Sequence, residues 1–126
     1  MDAKTADKSV MLQQMLTDHY RNPRNRGIVE HSDKMVKNYN SACGDLVSFS
    51  VLFSGDRIQD IKFEGKGCVI SQATASLLTE AIKGMTKDQV RALDKEFISR
   101  LVQLPLGPTR LRCALLSLEA VKKLVE

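Results

Sequence analysis

In LVSFSVLF, residues 46–53, Val47, Phe49, Val51 and Phe53 alternate with Ser48, Ser50 and Leu52. A period of two puts one set of side chains on one face, so this stretch is a strand with one face buried. Ser54-Gly55-Asp56 follows as a short turn, and Arg57–Glu64 carries Ile58, Ile61 and Phe63 as a β-rich partner, which makes a hairpin. Met35–Asn40 is a candidate third strand. On the N-terminal side, Met11, Leu12, Met15, Leu16 and Tyr20 fall at helical spacing within residues 10–20. Pro23 and Gly27 then break that helix, and residues 1–7 read as a frayed terminus. Downstream of the hairpin, Ala73, Leu77, Leu78, Ala81 and Ile82 mark a helix over Gln72–Lys83 that stops at Gly84. Thr86-Lys-Asp-Gln89 fits a capping box, with Val90, Leu93, Phe97 and Leu101 continuing one helix to the break at Pro105-Leu-Gly-Pro108. A last helix covers Leu111–Glu126. The expected architecture is α+β: an N-terminal helix, a small antiparallel three-stranded sheet, then three helices packed on it.

No linker, repeat or low-complexity tract divides the 126 residues, so 1–126 is read as a single domain. The composition, 43% hydrophobic and 27% charged, is that of a globular chain. No apolar run approaches the roughly 20 residues that span a bilayer. The polar start MDAKTADKSV lacks the apolar stretch of a secretory signal, which makes the cytoplasm the expected location and membranes an unexpected partner. The net charge of +4 is spread over both ends, and there is no Trp. Nucleic-acid binding wants a concentrated basic footprint with stacking rings, so it is not expected.

The three cysteines fall at junctions between elements. Cys43 precedes the strand at 46–53, Cys68 lies between hairpin and helix, and Cys113 lies at the start of the last helix. Gly44 follows Cys43 and Gly67 precedes Cys68, which allows a tight turn or a close approach at each. Cys68 and Cys113 fall near helix N-termini, where the dipole favours thiolate. If the junctions converge, three thiolates with Asp45 would suit Zn²⁺ or iron in a tetrahedral site, with the carboxylate as the most displaceable ligand and Arg112 offsetting the negative charge. The spacing alone leaves another account open: three idle thiols, with Asp45 stabilising the turn at Gly44. His19 reads as a partly buried helix residue and His31 as solvated. No histidine lies beside a cysteine in sequence, so no hydrolase triad can be drawn.

Asp18-His-Tyr-Arg-Asn-Pro-Arg-Asn-Arg-Gly27, Cys43-Gly-Asp45, Phe63-Glu-Gly-Lys-Gly-Cys68 with Ser71, and Leu111-Arg-Cys113 together resemble the IscU/SufU/NifU N-terminal family. The resemblance runs from about Met11 onward and is closest in wording to SufU, including Arg112 where IscU-type members have histidine. It implies one exposed site in which Cys43, Asp45, Cys68 and Cys113 are the metal ligands. It also implies a role in iron–sulfur cluster biogenesis, with a pyridoxal-phosphate cysteine desulfurase as sulfur donor and cluster assembly or acceptor proteins downstream. In SufU-type members the site holds zinc and a cysteine, here Cys43, accepts persulfide sulfur. In IscU-type members it assembles a [2Fe–2S] cluster. A structural zinc module that only mediates protein contacts is the reading from a different class.

Overall fold

The computed structural model describes residues 3–42 and 44–126, with side chains from residue 10 onward. Its sheet is a meander of β1 (Lys34–Asn40), β2 (Asp45–Ser54) and β3 (Arg57–Lys66) in the order β1-β2-β3, antiparallel throughout. The alternation in β2 does what its period demands: Val47, Phe49 and Val51 are fully buried and face Gly65, Phe63 and Ile61 of β3. Phe49 and Phe63 meet as a tilted ring pair with centroids 6.1 Å apart.

The spacing of three between Ile58 and Ile61 does not fit a strict alternation, and an irregularity in the ladder between Leu52 and Phe53 absorbs it. Beyond it Phe53 pairs with Ile58, so Ile58 is buried with Ile61 while Gln59 faces out. An extra residue in one strand restores the phase of the apolar face.

One helix precedes the sheet, α1 (Ala3–Arg21), and α2 (Val69–Ile82), α3 (Lys87–Arg91), α4 (Lys95–Val102) and α5 (Pro108–Leu124) follow it. Helix α2 is central: residues 71–79 are all buried, with α1 and α5 packed on it and the sheet alongside. Leu77, Leu78 and Ile82 join Val121, Leu124 and the inner face of the sheet in one core.

Two expectations are corrected. Helix α1 starts at Ala3 rather than near Val10, taking in most of the stretch expected to fray. Residues 3–9 lack an apolar stripe, but Ala3, Lys4, Ala6 and Lys8 are good helix formers. The single helix expected after Thr86 is two, so that four helices rather than three follow the sheet. The capping box of Thr86 and Gln89 forms, but Asp94 adopts extended backbone and its side chain accepts from the Phe97 N–H, starting α4 afresh. Aspartate competes with helical backbone in this way, and apolar spacing does not register it. No described helix is long and apolar enough to cross a membrane.

Candidate metal centre

The antiparallel meander puts the first residue of β2 and the last of β3 at the same end of the sheet. Asp45 therefore lies beside the Lys66-Gly67-Cys68 link into α2. Gly67 makes the approach possible. Its φ of +146° belongs to the region that favours glycine, and a Cβ there would collide with the Asp45 carboxylate. Cys68 is the N-cap of α2, with the cap-typical extended backbone, and its sulfur accepts the Ser71 N–H at 3.4 Å. Ser71 Oγ donates in return to the Cys68 carbonyl at 3.1 Å. Gln72 supports this turn by donating from Nε2 to Ser71 Oγ at 3.1 Å.

Asp45 is 0% exposed. The Cys68 N–H donates to its Oδ1 at 2.9 Å, and Cys68 Sγ lies 3.6 Å from Oδ2. Cys113, 5% exposed, comes from α5, and one ligand atom each from Asp45, Cys68 and Cys113 lies within 4.8 Å of the others. The edge of a tetrahedron with metal–sulfur bonds of about 2.3 Å is roughly 3.8 Å, so small side-chain rotations would bring these atoms to a metal. A buried carboxylate among sulfurs is also the kind of donor set that a cation stabilises. The residues fit such an ion.

Three of the four expected ligands thus meet. Cys43, the fourth and the expected sulfur acceptor, lies outside the described residues. Its flanks are described: the Gly44 N–H donates to the Asn40 carbonyl at 2.8 Å, and Gly44 has a φ of +71°. Exposed Arg112 shares a small cleft of about 180 Å³ with Asn40 and Ala42, which sets a cation beside the chain entering the site. Cys113 is the sixth residue of α5 and not at its start, because Pro108 occupies the first helical position and moves the N-terminus upstream. Of Cys68 and Cys113, only Cys68, the N-cap of α2, stands at a helix N-terminus.

The histidines separate as their surroundings dictate. His31 is exposed. His19 is buried at 6% exposure, with Nδ1 2.7 Å from Ser76 Oγ. Ser76 Oγ also accepts the Arg24 N–H at 2.8 Å, and His19 Nε2 faces Glu80 Oε1 at 3.6 Å. Burial pushes the His19 pKa below its ordinary 6.5, and the nearby Arg24 charge adds to this. The basic run is largely self-contained here: Arg24 reaches Asp18 at 2.6 Å, and that contact with the Asn22 amide holds the Asp18 carboxyl below its usual range. The parts that sequence reasoning missed are Ser71 and Gln72 as supports of Cys68, and Ser76 as the partner of His19. The first had a signal in the glycines preceding them; the second had none.

An α+β domain that gathers cysteines and an aspartate at one end of a three-stranded sheet is a metal- or sulfur-handling module by construction. Residues 11–126 match the model of the NifU-like N terminal domain, and the chain belongs to that family. It is 35% identical to the zinc-dependent sulfurtransferase SufU of Bacillus subtilis, over 94% of this chain and 91% of that one. It is 33% identical to the iron–sulfur cluster assembly scaffold protein IscU of Escherichia coli K12, over 83% and 84%. Among solved structures, a candidate cluster assembly scaffold for the SUF system of Fervidobacterium islandicum AW-1 superposes with a TM-score of 0.77 at 29% identity, over 90% of this chain and 95% of that one. The N-terminal NifU-like protein of Brucella abortus, 21% identical over 87% and 88%, shares the fold with a TM-score of 0.70.

Proposed function

We propose that this chain is an iron–sulfur cluster biogenesis protein that accepts persulfide sulfur from a cysteine desulfurase at a site made by Cys43, Asp45, Cys68 and Cys113. The observation that carries the reading is the convergence of Asp45, Cys68 and Cys113 from three separate elements onto one point. Similarity to a zinc-dependent SufU supports zinc as the resting metal.

In this reading zinc supplies charge that keeps the thiols deprotonated and protected until the donor docks. The chain's residues do the rest. Gly67 lets Asp45 close on the Cys68 N–H, and Ser71 and Gln72 hold the Cys68 turn. Arg112 offsets the negative charge near position 43. The Cys43 thiolate then attacks the outer sulfur of the donor persulfide. The donor S–S bond breaks, the donor cysteine leaves as a thiolate, and the persulfide is reformed on Cys43 with no net oxidation or reduction.

Similarity to IscU favours a second use of the same residues, in which iron and sulfur are cargo and a [2Fe–2S] cluster is built there before passing to acceptors. Elemental analysis of the freshly purified chain should find one zinc per chain. Adding the chain to a cysteine desulfurase should raise its turnover, and Cys43→Ala should abolish that stimulation. Undiminished stimulation by Cys43→Ala would overturn the acceptor role. Ready growth of a [2Fe–2S] absorption in anaerobic reconstitution would select the scaffold reading, and no sulfur uptake in either assay would leave a structural zinc module.

A further inference from the structure

The stretches 18–27 and 63–68 meet at a cavity of about 350 Å³ whose described lining contains none of the metal-site residues. Arg26 and Lys66 are its charged lining residues, and no carboxylate faces it among the described residues. Among the described residues neither side chain makes an ion pair or hydrogen bond, whereas their neighbours are engaged: Arg24 with Asp18 at 2.6 Å, and Lys83 with Asp60 at 3.2 Å. Glu64 lines a separate depression that shares Arg26 and Lys66, and it pairs with neither. Two unpaired cations at a concave wall focus a positive potential, and their natural complement is a carboxylate.

The cavity also offers the opposite polarity. Gln72 lines it and is 7% exposed. Its Nε2 is occupied with Ser71 Oγ at 3.1 Å and the Leu46 carbonyl at 3.5 Å. Its Oε1 accepts no hydrogen bond among the described residues, which leaves an acceptor for an ammonium group. Tyr20 and Pro23 add apolar surface to the wall. Cations for a carboxylate, an amide oxygen for an ammonium and the apolar Tyr20 and Pro23 for a side chain are the complement of an amino-acid zwitterion. The volume lies at the lower end of the roughly 300–1,000 Å³ of small-molecule pockets.

We propose that this cavity is a binding site for a free α-amino acid, with the carboxylate on Arg26 and Lys66 and the ammonium on Gln72 Oε1. Gly67 lines the cavity and packs against Asp45, so the occupant sits one residue from Cys68. The site needs neither the thiols nor the metal, and its failure would leave the sulfur-transfer reading untouched.

The test is an amide NMR titration of the full metal-loaded chain with L-valine, with isobutylamine, which is the same molecule without its carboxylate, and with inorganic phosphate. Valine should shift the amides of Gly65, Lys66 and Gly67 saturably, while the amine and phosphate leave them in place. The double variant Arg26→Gln, Lys66→Gln changes exposed residues only and should weaken binding roughly tenfold or more. Arg21→Gln, outside the cavity, should not. The proposal fails if valine gives no saturable shift, or if the double variant binds as tightly as the parent. It also fails if phosphate shifts the same amides as strongly, which would mark a plain anion patch, or if isobutylamine does.

Discussion

The two ends of the sheet are built on opposite principles. At the hairpin end the chain pairs its polar groups with itself. The Gly84 N–H donates to the Ile58 carbonyl and the Ile58 N–H to the Met85 carbonyl, each at 2.9 Å, and the Lys87 N–H reaches the Asp56 carbonyl at the same distance. Arg57 Nη1 donates to the Gly84 carbonyl at 2.9 Å, Thr86 and Gln89 close a capping box, and the Lys87 ammonium sits 4.4 Å over the Phe53 ring. At the other end the same strands begin and finish on sulfur and carboxylate: buried Asp45, the N-cap thiol Cys68 and, from α5, Cys113. One end uses backbone pairing to close the fold. The other holds reactive groups side by side, an arrangement that favours a cation over further packing.

This contrast can be broken most directly at Gly67. Gly67→Ala puts a methyl group against the Asp45 carboxylate at a φ that L-residues rarely adopt. It should lower metal affinity by roughly 10–100-fold and stability by about 1–3 kcal/mol, read by elemental analysis after dialysis and by denaturant melts. Unchanged metal content in Gly67→Ala would show that the close approach is not needed. Midway along α2, Ser76→Ala removes the partner of both His19 and the Arg24 N–H. It should cost about 1–3 kcal/mol without altering metal content, because the Arg24 N–H loses its acceptor and the buried His19 ring its partner.

The same histidine gives a pH signature. The unfolded chain binds a proton near pH 6.5 but the buried ring only at lower pH. Between the two values the unfolded state carries more protons, so stability is fully present above about pH 6.5 and falls as pH drops through the lower folded value. His19→Gln should flatten that part of the stability profile measured by melts from pH 7 to 5; a profile as steep as the parent's would assign the acid sensitivity elsewhere. The smallest effect is at the closed end, where Thr86→Ala opens the capping box at an exposed site. It should cost about 1 kcal/mol in melts and leave metal and sulfur chemistry unchanged.

Much of this was legible along the chain. The alternation of Val47, Phe49 and Val51 fixes a one-sided strand without reference to anything distant, and Gly84 and Pro108 punctuate helices by their own backbone constraints. The pattern around Ile58 and Ile61 was legible as β-rich but not as an irregular ladder, because the extra residue acquires meaning only against its partner strand. Asp94 hid its break inside a continuing apolar spacing. At the site, the glycines next to Cys43 and Cys68 announced tight geometry, and the motif wording pointed to the family to which the chain belongs. His19 announced nothing of Ser76, 57 residues away.

The sequence by itself determined the elements, their order and the residue types that can bind metal or carry sulfur, since period, caps and breakers act within a few residues. Only the tertiary structure decided that Asp45, Cys68 and Cys113 share one point, that His19 is buried against Ser76, and that Arg26, Lys66 and Gln72 line one cavity. Those relations join positions tens of residues apart. They come from the packing of α1, α2 and α5 with the sheet, which brings distant side chains within bonding distance and sets which charges are left unpaired.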